Sequence, residues 1–174
     1  MQDIDESLLI EKSLRGDTEA YSEIVERYKK AVYYHCFAIV RDEDAAEDLA
    51  QETFIAAYFN LKKFNHKYHL STWFFKISTN KCLNHLKRRG KVVAADDKLI
   101  SRIASSNPEP PQQMIHAELH DAVDRLRPKY RAVISLYYWQ GMDYAATAVV
   151  VGAPVNSVRV WLKRAKQELR KELS

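Results

Sequence analysis

Glycine and proline are scarce in this chain, with four glycines and five prolines among 174 residues. Short strands need frequent tight turns, and these two residues are the ones that make such turns most readily. A sandwich or barrel of many short strands is therefore excluded, and an all-α fold is predicted. Apolar residues make up 47% of the chain, which is typical of a globular protein and not of a disordered one.

Three N-terminal segments show apolar residues at spacings of three and four, the period of an amphipathic helix. The first spans residues 20–40, the second follows a cap at Asp42, and the third spans residues 71–89. The polar, cationic and aromatic sequence FNHKYHL separates the second segment from the third. It predicts a loop.

The periodicity stops between residues 91 and 113, where SSNPEPPQQ has the composition of an extended linker. This interval divides the chain into an N-terminal domain (1–90), a linker (91–113) and a C-terminal domain (114–174). Within the C-terminal domain, helices are predicted at 114–125, 128–141, 144–151 and from 154 onward. The last two are joined by a short turn containing Gly152, and the final helix is long and basic. That order is typical of a helix-turn-helix.

The net charge of +4 conceals an uneven distribution of charge. Residues 1–61 hold 14 acids and 6 bases, residues 62–91 hold 9 bases and no acid, and residues 125–174 hold 10 bases and 3 acids. Two separate basic zones predict two contacts with a polyanion, and the acidic segment is available for a different partner.

Each basic zone coincides with a second signal for nucleic acid. The first contains aromatic residues among its cations, an arrangement that suits unstacked bases, although Trp73, Phe74 and Phe75 could instead all be core. The second contains the final helix, whose side chains off the apolar stripe could enter a major groove. The alternative for this helix is a basic surface helix packed on its neighbours.

No residues suggest catalysis. His116 and His120 are four apart on a predicted helix, but no third metal ligand is evident nearby. There is no glycine-rich phosphate loop, no nucleophile elbow and no convincing catalytic pair, so we expect no enzymatic activity, cofactor or metal.

Cys36 and Cys82 form no CxxC motif and are predicted to be reduced thiols. The acidic start MQDIDESLLI and the lack of a long apolar run predict a cytoplasmic protein without membrane insertion.

Three stretches of the chain carry a resemblance to a known family: DEDAAEDLAQETFIAAYFNLKKF, HLSTWFFKISTNKCLNHLKRR and DYAATAVVVGAPVNSVRVWLKRAKQELRKEL. Together they resemble the sigma-70 family, specifically the extracytoplasmic-function (ECF) sigma factors of RNA polymerase. The resemblance implies two helical domains, sigma region 2 and sigma region 4, with the linker in place of the larger factors' region 3. It implies a factor that binds core polymerase, directs it to promoters and helps to melt them.

The resemblance also implies partners and site residues. The partners are core RNA polymerase, through its beta-prime clamp coiled coil and its beta flap, promoter DNA, and a cognate anti-sigma factor. The residues expected to bind core polymerase are Asp48, Gln51, Glu52, Phe54 and Tyr58. Those expected to bind the minus-ten element are Phe64, Asn65, His66, Lys67, Tyr68, Trp73, Asn80, Asn84, Lys87 and Arg88. Those expected to bind the minus-thirty-five element are Asn156, Ser157, Arg159, Val160, Lys163, Arg164 and Lys166.

The chain departs from the family pattern at two places. DYAATAVVV replaces an SYEEIAEIL-like run, which removes acids and adds β-branched residues of lower helix propensity. Trp161 stands at a position that is frequently basic in the family, and the alternative interpretation is that its ring packs at the edge of the apolar stripe.

Two other functions remain as alternatives: a stand-alone helix-turn-helix regulator, and a metal hydrolase built around His116 and His120. The sequence leaves open how the two domains are arranged in the free protein.

Overall fold

The computed structural model describes residues 5–95 and 112–174, with side chains described for 5–90 and 118–174. In these ranges the regular elements are all helical, as predicted. They are α1 (Glu6–Leu14), α2 (Thr18–Val40), α3 (Glu43–Phe59), a 3-10 turn (Leu61–Lys63), α4 (Leu70–Ala95), α5 (Gln112–Asp124), α6 (Pro128–Ile134), a π-helix (Ser135–Trp139), α7 (Tyr144–Val151) and α8 (Val155–Glu172).

The N-terminal helices form a bundle in which α2, α3 and α4 pack against one another and α1 packs on α2. Aspartates begin two of these helices: Asp17 accepts hydrogen bonds from backbone N–H groups at the start of α2, and Asp42 accepts one from Ala45 N (2.9 Å) at the start of α3. The bundle core is apolar and includes Ile24 and Phe74, both fully buried. Cys36 and Cys82 are free, buried thiols, as predicted.

The third predicted helix is longer in the structure than in the sequence analysis. α4 begins at Leu70, one residue before Ser71, and continues to Ala95. The first residues of the predicted linker are therefore helical, because KVVAA contains no proline to end the helix and Gly90 lowers helix stability without breaking it. α5 likewise begins at Gln112, inside the predicted linker. The middle of that linker lies outside the described residues.

The C-terminal helices begin and end where local chemistry predicts. Pro128 occupies the first turn of α6, and Asp143 accepts a hydrogen bond from Ala146 N (2.7 Å) at the start of α7. Gly152 ends α7 in the left-handed conformation with φ 65°, which a residue without a side chain adopts without strain.

In the described parts of the chain no single helix is long and apolar enough to cross a membrane. The pair that together reaches that length, α7 and α8, is bent by 97°.

The predicted helix at 128–141 ends differently from an ordinary α-helix. Its second half, Ser135–Trp139, is a π-helix, in which Gln140 N donates to the carbonyl of Ser135 five residues earlier (2.9 Å). A π-turn holds one more residue than an α-turn, so the side chains that follow it are rotated about the helix axis.

The two halves of the chain pack against each other. α6, the π-helix and α7 contact α2 and α4. Ala132, Leu136 and Val150 are buried in the apolar core of the N-terminal bundle, whereas Val133 and Val158 belong to a second core among the C-terminal helices. The sequence left this arrangement open.

Candidate functional site

The predicted minus-ten loop lies between the 3-10 turn and α4, and a polar turn shapes it. Asn65 accepts a hydrogen bond from Lys67 N through its side chain (3.0 Å) and one from Tyr68 N through its backbone carbonyl (3.1 Å). This turn leaves His66, Lys67 and Tyr68 exposed. The loop therefore presents two nitrogen-bearing side chains and a phenol to solvent.

The aromatic residues of this loop line a cavity of about 210 Å³. Phe64 is buried and packs against Trp73, with ring centroids 6.1 Å apart. The indole Nε1 of Trp73 is buried and has no hydrogen-bond partner within the described residues. The aromatic walls of this cavity favour a ligand with a flat face. Its walls are Lys63, Phe64, Asn65, Tyr68, Thr72, Trp73, Lys76 and Val149.

The structure separates the predicted minus-ten residues into two groups. Phe64, Asn65, Tyr68 and Trp73 line the cavity, with Phe64 only 8% exposed. The other predicted residues are exposed: His66 and Lys67 in the loop, and Asn80, Asn84, Lys87 and Arg88 on α4. Lys63, Thr72 and Lys76 also line the cavity but were not predicted. Lys63 and Lys76 lie in the acid-free basic zone, a signal that could have identified them.

The predicted minus-thirty-five residues lie on α8, the second helix of the helix-turn-helix. Val158, Leu162 and Ala165 are buried against the C-terminal core, as their spacing predicted. The opposite face is exposed except for the half-buried Ser157, and it carries Asn156, Ser157, Arg159, Val160, Lys163, Arg164 and Lys166. This face can approach a duplex without any rearrangement of α8.

Two cations in this domain lie over aromatic rings. The guanidinium of Arg159 lies 5.4 Å from the centre of the Tyr144 ring, and Tyr144 itself stacks on Tyr137 with ring centroids 4.9 Å apart. This contact restrains Arg159 at the exposed start of α8. Lys129 lies 4.6 Å from the centre of the half-buried Trp161 ring. Trp161 thus packs at the edge of the apolar stripe.

The predicted polymerase-binding residues of α3 do not all reach the surface. Asp48, Gln51 and Glu52 are exposed, but Phe54 is only 7% exposed and packs against Phe74 with ring centroids 5.0 Å apart. Tyr58 is half-buried. Phe54 is therefore a core residue, because it faces α4.

Two exposed apolar residues extend this face of α3, and the site prediction omitted both. Ile55 is 58% exposed and Phe59 is 78% exposed. With Asp48 and Glu52 they are spaced four, three and four residues apart, so they share one side of the helix. Glu52 also lies 3.3 Å from Lys81 Nζ of α4. The result is an acidic surface that becomes apolar toward the end of α3.

The histidine pair forms no metal site that the structure describes. His120 is exposed, and its Nδ1 lies 3.3 Å from the guanidinium of Arg41. The side chain of His116 lies outside the described residues. Among the side chains that are described, no group of three histidine, cysteine, aspartate or glutamate residues could hold a metal ion.

Comparisons with known proteins agree with this geometry. Residues 24–92 match the family model for sigma-70 region 2, and residues 116–169 match the model for sigma-70 region 4. The chain is 30% identical to the RNA polymerase sigma-H factor of Pseudomonas aeruginosa, with 95% of this chain and 92% of that protein covered. It is 28% identical to the ECF RNA polymerase sigma factor SigW of Bacillus subtilis, with 94% of each covered.

Solved structures show the same fold. The sigma factor RpoE of Bartonella quintana, in complex with the anti-sigma factor NepR, gives a TM-score of 0.76 at 22% identity over 88% of this chain and 96% of that chain. CnrH, in complex with the cytosolic domain of CnrY, gives a TM-score of 0.71 at 23% identity over 97% of this chain and 96% of that one. With region 2 ahead of region 4 and a curated relative matched over nearly its whole length, the chain belongs to the sigma-70 family, among the ECF RNA polymerase sigma factors.

Proposed function

We propose that this chain binds core RNA polymerase in the cytoplasm, directs it to particular promoters and helps to melt the DNA there. The chain itself catalyses no reaction in this proposal. Binding free energy alone drives the opening, because bases that leave the stack gain new contacts with the protein.

One observation supports the proposal: two surfaces of the described chain differ in shape and chemistry, and each suits a different form of DNA. The exposed face of α8 fits a duplex, since a helix of this type enters the major groove. The cavity around Trp73 fits a base only when that base is out of the duplex, because its aromatic walls must meet a ring face that is stacked on its neighbours in duplex DNA. A protein that uses both surfaces holds duplex and melted DNA together.

The exposed face of α3 supports a protein partner. Ile55 and Phe59 are 58% and 78% exposed, and they lie on the same side of α3 as the carboxylates of Asp48 and Glu52. Exposing two large apolar side chains together gives no stability to a helix that faces only water. Apolar side chains bordered by charges are typical of a docking surface. We propose that this face binds the beta-prime clamp coiled coil of the polymerase and that the C-terminal domain binds the beta flap. The Bartonella quintana complex supports an anti-sigma factor as a further partner.

Charge reversal on α3 tests the polymerase contact. The double variant Asp48→Lys/Glu52→Lys is expected to weaken binding to core polymerase by on the order of 100-fold, because like charges at an interface cost several kcal/mol. Binding is measured by titrating labelled core enzyme with the purified chain, and the circular dichroism spectrum checks that the helices remain.

The matched control is Glu11→Lys/Glu26→Lys, which makes the same change in net charge at exposed side chains of α1 and α2. This control is expected to bind core polymerase like the unmodified chain. Equal affinities of the α3 variant and this control would exclude the α3 face as the polymerase contact.

A further inference from the structure

Two tyrosine rings and one arginine connect the π-helix, α7 and α8. The rings of Tyr137 and Tyr144 are nearly parallel, with 15° between their planes and 4.9 Å between their centroids. The guanidinium carbon of Arg159 lies 5.4 Å from the centre of the Tyr144 ring. Tyr144 therefore contacts both of the other residues, and it joins the first helix of the helix-turn-helix to the exposed face of the second.

Several contacts hold the Tyr144 ring in place. Tyr144 is the first residue of α7 and directly follows Asp143, whose side chain caps this helix. Tyr137 donates a hydrogen bond to the side chain of Tyr144, and this bond raises the pKa of the Tyr137 phenol. Both rings are half-buried and pack against the C-terminal core. The surface on which Arg159 lies is thus fixed by the fold.

The ring of Tyr144 restrains Arg159 without using its hydrogen-bond donors. A guanidinium is planar, and all five of its N–H groups lie in that plane. An aromatic ring attracts the cation through the face of the guanidinium, so the N–H groups remain available for another partner. An arginine that is already restrained loses less rotamer freedom when it binds. Arg159 is therefore prepared for a ligand that accepts hydrogen bonds in one plane.

The position of Arg159 on α8 favours a base as that ligand. Arg159 lies within the first two turns of α8, which begins at Val155, and the N-terminal residues of a recognition helix are those that contact base edges. The next residue, Val160, is 43% exposed on the same face of the domain. A valine cannot bond a phosphate, but it can contact the methyl group of thymine. This part of α8 therefore suits the floor of the major groove better than the DNA backbone.

Guanine is the base that matches a planar pair of donors. It presents two acceptors in the major groove, O6 and N7, and an arginine donates to both only when its guanidinium lies in the plane of the base. An arginine that rotates freely also reaches phosphates, and these contacts carry no sequence information. Restraint of Arg159 should therefore increase base specificity more than overall affinity.

We propose that Tyr144 is a positioning residue that holds the guanidinium of Arg159 in the orientation needed to read a guanine in duplex DNA, and that Tyr137 supports Tyr144 in this role. The inference rests on the proposed function, because it requires α8 to read a duplex. It extends that function, since recognition of one base then depends on a side chain of α7 that need not touch DNA.

Selection from a pool of duplexes of random sequence tests this role, with the full chain alone and with the full chain on core polymerase. Arg159→Ala is expected to lose the preference for a guanine at one base pair. Tyr144→Leu is expected to weaken the preference at that same base pair by about 2- to 5-fold and to leave the others unchanged. Tyr144→Phe retains the ring and is expected to keep the preference.

The matched control is Tyr138→Leu, which removes another tyrosine of the same cluster. Tyr138 packs edge-on against Tyr137, with ring centroids 4.9 Å apart, and is 48% exposed. Its removal leaves the ring on which Arg159 lies. This variant is expected to select the same sequences as the unmodified chain, and circular dichroism checks that every variant remains helical.

Nuclear magnetic resonance tests the restraint without DNA or polymerase. Relaxation of the arginine Nε–H groups gives an order parameter for each side chain. Arg159 is expected to be more ordered than Arg164, an exposed arginine of the same helix, in the unmodified chain and in Tyr144→Phe. In Tyr144→Leu the order parameter of Arg159 is expected to fall to that of Arg164.

The outcomes separate the positioning role from the proposed function. A guanine preference that survives in Tyr144→Leu, or a loss of preference at all base pairs alike, would overturn the positioning role. An Arg159 as mobile as Arg164 in the unmodified chain would also overturn it. If no form of the chain selects any sequence, alone or on core polymerase, the proposed function fails, while the order parameters still decide whether Tyr144 holds Arg159.

Discussion

His35 shows how one buried side chain makes the stability of the folded chain sensitive to pH. Burial lowers the pKa of His35 to about 3, from about 6.5 in water. The groups that face it from α4 and the π-helix are neutral, namely Thr79, Phe75 and Ser135. Loss of hydration is therefore the cause of the lowered pKa.

The sign of the pH effect follows from these pKa values. Above about pH 6.5 His35 is neutral in both the folded and the unfolded chain, and the folded state keeps its full stability. Between about pH 6.5 and pH 3 the unfolded chain takes up a proton that the folded chain cannot hold, so the free energy of unfolding falls by about 1.4 kcal/mol for each pH unit. We expect urea denaturation to give a free energy of unfolding about 1.4 kcal/mol lower at about pH 5.5 than at about pH 7.5 from this residue.

The control for this prediction is His35→Gln, whose amide keeps a donor and an acceptor but does not titrate. The difference in free energy of unfolding between the unmodified chain and His35→Gln cancels the effects of pH on the other titratable groups. A difference that stays constant from about pH 7.5 to pH 5.5 would show that protonation of His35 does not destabilise the fold.

At the scale of single elements, the loop after α3 and the start of α4 perform the proposed melting step. The double variant Lys67→Ala/Asn80→Ala removes an exposed cation of the loop and an exposed amide of α4. It is expected to reduce open-complex formation several-fold while closed-complex binding changes little, because cations and stacking partners matter most once bases are unpaired. Permanganate footprinting of the bubble on mutant holoenzyme measures the effect.

Lys62→Ala serves as the comparison, since Lys62 is an exposed lysine of the same basic zone that lies in the 3-10 turn before the loop. Holoenzyme with Lys62→Ala is expected to give normal thymine reactivity. Normal reactivity for the double variant as well would remove the loop and α4 from the melting step.

Helix boundaries were predictable where local chemistry sets them. Asp42, Asp143 and Gly152 act within one turn of their own position, so the sequence identified all three as helix ends. The π-helix at 135–139 was not predicted, because the extra residue in its turn depends on packing against α2 and not on the local sequence. Phe54 and Ile55 are adjacent and both apolar, and only the packing of α4 decides that the first is buried and the second exposed.

At the scale of the whole molecule, the sequence predicted two DNA-binding zones but not how the halves are arranged. Leu136 and Val150 lie in the core of the N-terminal bundle, while Val133 lies in the C-terminal core. All three are apolar residues of short helices, and their spacing cannot show that two cores exist. Contacts between residues about one hundred positions apart, such as that of His35 with Ser135, leave no local pattern in a single sequence.

The most direct test of the central claim is transcription from selected promoter fragments by purified core polymerase, with and without this chain. The account predicts that initiation at defined start sites requires the chain, and that Asp48→Lys/Glu52→Lys abolishes most of it whereas Glu11→Lys/Glu26→Lys does not. Tight, specific binding of the chain alone to a two-fold duplex site, with no transcription in the presence of core polymerase, would contradict the account and favour a stand-alone helix-turn-helix regulator.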